Sequence, residues 1–134
     1  MGVVIDSCVL IESERGRLDL AAHIAARADE GIYLSALSAS ELLHGVHRAT
    51  DPAQRSRRSA FVEEILRQLP VLEVDLTSAR AHARLCAELA RAGTPVPAHD
   101  LWIAATCIAR DYTLITANAR DFERVPGLAL EVWR

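Results

Sequence analysis

A chain of 134 residues with 51% hydrophobic composition is long enough for one domain with a full core, and it is read as a single domain over residues 1–134. Its formal net charge of −3 argues against a general polyanion binder, whose affinity comes mainly from neutralising phosphates, so any nucleic-acid contact has to be local. All 15 basic residues are arginine, which excludes chemistry that needs a lysine ammonium. No apolar run reaches the roughly 18 residues of a membrane span. The opening MGVVIDSCVL has no basic segment ahead of its apolar stretch and is not read as a signal peptide; no membrane contact is expected, and the cytoplasm is the expected compartment. Cys8, Cys86 and Cys107 are odd in number and lack CxxC spacing, the pattern of reduced core thiols.

Gly2 to Ile5 is an apolar, β-branched run without alternation, the mark of a central strand buried on both faces. Asp6 stops it, and Ser7 to Glu14 follows as a helix with Val9, Leu10 and Ile11 on its apolar side. Asp19 caps a helix with Leu20, Ile24 and Ala28 on one face, closing at Gly31. Ile32 to Leu37 is the second strand and Ser38 to Ala49 the next helix, with Leu42, Leu43 and Val46 inward. Asp51-Pro52 opens an amphipathic helix that buries Phe61, Val62, Ile65, Leu66 and Leu69, and Pro70 closes it. Val71 to Val74 is a third strand, and Thr77 to Ala92 a helix with Leu85, Cys86 and Leu89 inward, ended by Gly93.

Thr94-Pro95-Val96-Pro97 is an extended lead-in to Asp100, which opens a helix that is apolar or small on nearly every side from Leu101 to Ala109. Leu114, Ile115 and Thr116 form a short strand, Asn118 to Asp121 a turn, and Leu128 to Val132 a last strand at the sheet edge. Strands alternating with helices predict an α/β fold with a parallel sheet covered by helices on both faces.

Three carboxylates share one description. Asp6 follows the first strand, Glu41 lies one turn into the helix after the second, and Asp100 starts the buried helix, so a parallel sheet places all three at one edge. Each also has a structural explanation: Ser38-Ala39-Ser40-Glu41 matches the S-x-x-E capping box, Asp6 can cap a helix, and Asp100 is a first-turn acid favoured by the helix dipole. Together the structural explanations weaken, because carboxylates that converge repel one another unless a cation sits among them. Oxygen donors without neighbouring Cys or His point to a hard ion, Mg²⁺ or Mn²⁺, of the kind that activates water at phosphates. His44 and His47 are read as solvated, His82 as a helix-face residue with a backbone partner, and His99 as either a loop residue or a substrate contact. Arg48, Arg55, Arg57 and Arg58 form the densest basic cluster, a solvated helix face with an RNA-backbone contact as the alternative.

VVIDSCVLIE at the N-terminus, SASELLHG around Glu41, the stretch GTPVPAHDLWIAATCIARDYTLITANARDFERVPGL and the closing EVW resemble a PIN-domain ribonuclease of the VapC toxin type over nearly the whole chain. The most specific part is Asp100 followed by IAA and then T-x-N-x-x-D-F from Thr116 to Phe122. The resemblance implies a three-layer α/β/α sandwich, metal-dependent endonucleolytic cleavage of RNA, inhibition by a VapB-like antitoxin, and pairing of the chain with itself as a homodimer. Asp6, Glu41 and Asp100 match the family's acidic triad, with Asp6 and Asp100 as direct metal ligands. Ser7, Thr116 and Asn118 take supporting places. Some members carry a fourth acid where this chain has Asn118, so Asp121 is the candidate fourth acid here. Cys8 stands where an Asn is usual, and little effect is expected because Ser7 keeps the adjacent hydroxyl.

The resulting expectation is a Mg²⁺-dependent endoribonuclease. A phospho-acceptor domain or an aspartyl phosphatase also gathers carboxylates at such an edge, but both need a lysine that this chain lacks. The remaining rival is a catalytically silent PIN module that acts through protein contacts.

Overall fold

The computed structural model describes residues 2–134 as five parallel strands and six α-helices. In chain order these are β1 (Gly2–Ile5), α1 (Ser7–Glu14), α2 (Leu20–Ala25), β2 (Gly31–Ser35), α3 (Ala36–Arg48), α4 (Pro52–Gln68), β3 (Val71–Leu72), α5 (Leu76–Ala92), α6 (Ala98–Arg110), β4 (Thr113–Thr116) and β5 (Leu130–Val132), with a short 3₁₀ turn at Phe122–Arg124. The strand order is β3-β2-β1-β4-β5. The chain runs outward from β1 through β2 to β3, then returns to β4 on the other side of β1. The reversal falls between β1 and β4, the place where open α/β sheets hold their ligands.

Alternation along the central strands divides the core in two. Val3, Ile5 and Ile115 face a layer built from α1, α3 and α4 through Val9, Leu10, Leu42, Val46, Val62 and Ile65. Val4 and Leu114 face the opposite layer, where Leu85 and Leu89 of α5 meet Leu101, Ile103 and Ala104 of α6. The architecture is therefore an α/β/α sandwich, as the alternating sequence pattern predicts. β1 is buried at every position, which explains its unbroken apolar run.

Several boundaries differ from the sequence reading, for local reasons. β2 ends at Ser35, whose hydroxyl accepts from the Ser38 N–H at 3.1 Å and starts α3 at Ala36. Ser35 therefore caps this helix, and the Ser38-to-Glu41 capping box is not formed. Glu41 sits in the second turn with no role at the helix terminus. β3 has two residues instead of four, because it pairs with β2 only at Leu34↔Val71 and Ser35↔Leu72, where β2 itself ends. α2 stops at Ala25, short of Ala28.

Cys86 is exposed, contrary to its expected inward position, while Cys107 is buried and Cys8 half-buried; all three thiols are free. His82 stacks on Trp102, with ring centroids 3.6 Å apart, instead of meeting a backbone group. This stack helps join α5 to α6. Arg110 reinforces the joint by donating to Ser78 Oγ at 3.2 Å and to the Glu73 carbonyl at 3.0 Å. Gly93 ends α5 in the left-handed region at φ 64°, as its composition signal predicts. Among the described residues, no helix is long and apolar enough to cross a membrane.

Candidate active site

The C-terminal ends of β1 and β4 build the floor of the site. β1 pairs with β4 in the register Ile5↔Ile115, so Asp6 and Thr116 emerge side by side. Asp6 caps α1 and accepts from the Ser7 N–H at 2.9 Å through Oδ1. Its other oxygen, Oδ2, takes hydrogen bonds from Thr116 Oγ1 at 3.0 Å and Cys8 Sγ at 3.1 Å. Asp6 is 7% exposed, which leaves its carboxylate fixed in direction before any ligand arrives. Burial pushes its pKa upward, the donors from Cys8 and Thr116 oppose that, and the nearby Glu41 charge adds to it.

Cys8 is the site residue whose importance the sequence reading missed. Burial and the neighbouring Asp6 charge push its thiol up to about 11, so it stays protonated and keeps its hydrogen for Asp6. Its sulfur also accepts from the Ala117 N–H at 3.3 Å, tying the chain beyond β4 to the start of α1. Ser7 meets Asp6 through its backbone N–H. The signal was the spacing: a side chain two residues after a helix cap turns back toward the cap.

Asp100 lies in the first turn of α6 and is the electrostatic centre of the cluster. Its pKa is raised to about 6, first by burial, then by the charges of Asp6, Asp121 and Glu41, with His99 acting in the opposite sense. Glu41 and Asp100 come from opposite helical layers, α3 and α6, which meet at this edge of the sheet. His99, one residue before Asp100, bridges them: its Nε2 lies 2.7 Å from Glu41 Oε1. His44 and His47 are exposed, on the same helix as Glu41.

Asp121 and Asn118 hold different places. Asp121 is half-buried, contributes to the charge around Asp100, and lies 3.7 Å from Arg124, which also donates to the Pro95 carbonyl. Asn118 is exposed; its Oδ1 accepts from the Arg120 N–H at 3.4 Å, and its own N–H donates to Thr116 Oγ1 at 3.1 Å. Asn118 thus shapes the turn that holds Thr116, while Asp121 belongs electrically to the acids.

Among the described residues, no three His, Cys, Asp or Glu side chains converge on a common coordinating point. Asp6 is held by Ser7, Cys8 and Thr116 and Glu41 is drawn to His99, so the carboxylates do not close on one point. The donor set nevertheless fits a hard divalent cation. It consists of carboxylate oxygens; burial and then their mutual repulsion raise Asp100, and a cation placed between them would remove the repulsive part.

Comparison with known proteins bears on the family and the fold. The PIN domain family matches residues 3–128. The chain is similar to Ribonuclease VapC1 of Rickettsia felis, with 32% identity over 130 residues covering 96% of this chain and 93% of the relative. It is also similar to the tRNA(fMet)-specific endonuclease VapC of Salmonella typhimurium, with 37% identity over 100 residues covering 75% of this chain and 74% of the relative. Among solved structures, DNA-bound VapBC from Salmonella typhimurium superposes with a TM-score of 0.89 at 29% identity, covering 100% of this chain and 99% of that one. VapBC-5 from Mycobacterium tuberculosis superposes with a TM-score of 0.77 at 32% identity, covering 100% of this chain and 99% of that one. The family match, the relatives and the shared fold lead to one assignment: the chain belongs to the PIN-domain family, and within it to the VapC-type ribonuclease toxins of VapBC toxin–antitoxin systems.

Proposed function

We propose that this toxin is a Mg²⁺-dependent endoribonuclease, able to use Mn²⁺, with Asp6, Glu41 and Asp100 as the metal-binding triad and Asp121 as the fourth acid. The observation that carries this reading is the gathering of carboxylates around Asp100, whose pKa is lifted to about 6 by burial first and then by the charges of Asp6, Asp121 and Glu41. Stability alone gives no reason to gather four acids at one sheet edge. A catalytically silent module leaves them without a role.

Asp6, at the end of β1, and Asp100, at the start of α6, would be the direct ligands, and Glu41 of α3 would add a third carboxylate. When bound there, the cation would polarise a phosphate oxygen and lower the pKa of a water positioned to displace the 3′-oxygen of the scissile linkage. Thr116 and Cys8 hold Asp6 in one orientation, so no reorganisation of that carboxylate accompanies the reaction. Asp121 adds negative charge beside Asp100, and Asn118 fixes the turn on which Thr116 depends. Chemistry of this kind needs no 2′-hydroxyl, so selectivity for RNA comes from the shape of the groove and of the target loop. A cleft beside Glu41 is lined by Glu14, Arg15, Arg48 and Arg58; Arg58 is held by the Gly45 carbonyl and by Glu14, and Arg15 lies near Glu12, which leaves Arg48 as the arginine there for a backbone phosphate.

The named specificity of the Salmonella typhimurium relative makes initiator tRNA the first RNA to assay. The VapBC structures of relatives motivate a VapB-like antitoxin as the partner that silences this edge, and the chain is expected to form a homodimer. The purified chain should cleave RNA only with Mg²⁺ or Mn²⁺, stop on chelation, and lose cleavage in Asp6→Asn and Asp100→Asn. Cleavage that persists in both variants, or that ignores chelator, overturns the proposal.

A further inference from the structure

We infer that His99 is a positioning residue that sets the direction of the Glu41 carboxylate toward the metal position, an inference that rests on the metal-dependent reading above. Glu41 is the most mobile of the triad by construction. It has three side-chain torsions and sits 40% exposed, whereas Asp6 is buried and held by Thr116, Cys8 and Ser7. An exposed glutamate on a helix samples several rotamers, and holding one of them costs conformational entropy.

His99 restricts that freedom from the opposite layer. Its Nε2 meets Glu41 Oε1 at 2.7 Å across 58 positions of sequence, and no other side chain bonds to Glu41 among the described residues. The contact occupies one carboxylate oxygen and leaves Oε2 for a ligand. His99 also stands in the first turn of α6 directly before Asp100, so one helix start both supplies a metal-binding acid and aims another. A residue that orients a ligating carboxylate through a hydrogen bond typically changes metal affinity or activity on the order of 10-fold or more when removed.

The test compares the intact wild-type chain with His99→Ala and His99→Gln. Mn²⁺ binding is measured without RNA, by the electron paramagnetic resonance signal of the free ion. RNA affinity is measured in Ca²⁺ so that cleavage does not interfere, and kcat and KM are measured over a Mg²⁺ titration. The expected result for His99→Ala is Mn²⁺ binding weakened about 10-fold, a matching rise in the Mg²⁺ needed for half-maximal cleavage, and unchanged RNA affinity. His99→Gln, whose amide can donate to Glu41, should recover much of the loss, which a merely structural contact does not predict. Unchanged Mn²⁺ binding in His99→Ala overturns the inference and leaves a surface ion pair. A loss of RNA affinity with Mn²⁺ binding intact also overturns it, and makes His99 an RNA contact. Failure of the wild-type chain itself to bind Mn²⁺ overturns the metal-dependent reading, and is thereby distinguished from failure at His99 alone.

Discussion

Thr116 Oγ1 lies 3.0 Å from Asp6 Oδ2, a contact that the Ile5↔Ile115 register of β1 and β4 makes unavoidable. Both residues are buried, so the hydroxyl is a fixed donor to a carboxylate that has little water around it. Thr116→Val keeps the shape and removes the donor. The Asp6 pKa should then rise further, since hydrogen bonds to the charged form hold it down. We expect weaker Mg²⁺ binding, reduced cleavage and a stability loss of about 1 kcal/mol in urea unfolding. Wild-type activity in this variant would show that Cys8 and Ser7 suffice to hold Asp6.

Asp100→Asn should abolish cleavage and yet stabilise the metal-free fold. The folded-state pKa of Asp100 is about 6, above its ordinary value of 3.8. Such a group contributes stability that is fully present below about pH 3.8 and lost as pH rises through 6. Asn cannot ionise and escapes that loss. In metal-free buffer, the wild-type chain should therefore lose stability relative to Asp100→Asn between pH 4 and pH 7, by roughly 1 kcal/mol once solvent screening of a half-exposed group is allowed for. Added Mg²⁺ should stabilise only the wild type, and less below pH 6, where a proton competes with the cation. Melting curves over pH with and without Mg²⁺ check both signs; a variant less stable than wild type at pH 7 without metal would count against charge crowding.

The turn after β4 separates a charge effect from a geometric one. Asp121→Asn removes one of the charges that raise Asp100, and should weaken Mg²⁺ binding severalfold while keeping some cleavage. Asn118→Ala removes the bond to the Arg120 N–H and loosens the turn around Thr116, so it should slow turnover more than it weakens metal binding. A Mg²⁺ titration of cleavage for both variants reads the difference. Identical curves for Asp121→Asn and wild type would confine the site to three acids.

Ser35 gives a test of the helix start. Ser35→Ala should destabilise the fold by about 1 kcal/mol, because its hydroxyl accepts from the Ser38 N–H at a buried position. Glu41→Gln should leave stability nearly unchanged and remove cleavage. A large unfolding effect from Glu41→Gln alone would return that residue to a structural role.

These two residues also mark where the sequence was legible. The central strands β1 and β4 announced themselves because burial on both faces demands unbroken apolar runs, as in Gly2–Ile5. Asp6, Glu41 and Asp100 were readable as one group because a parallel sheet sends every strand-to-helix junction to the same edge. The cap of α3 was misplaced by three residues, since Ser35 and Ser38 are chemically equal candidates for a cap, and only the end of β2 at Ser35 decides between them. Contacts between distant elements left no local trace. Cys8 to Thr116 and His99 to Glu41 depend on how layers meet, and His82 on Trp102 depends on how α5 lies against α6. Cys86 was placed inward because one turn of a helix looks much like the next to a periodicity argument.

β1, buried at every position and hydrogen-bonded to strands on both sides, gives the acidic edge a firmly enclosed base. Amides such as those of Val4 and Asp6 are expected to exchange with solvent among the slowest in the chain, because apolar side chains of both layers cover the strand. The acid at the end of β1 is carried by the strand most deeply enclosed between the two layers. Control of such an edge is expected to act from outside, by covering it or by withholding what binds there.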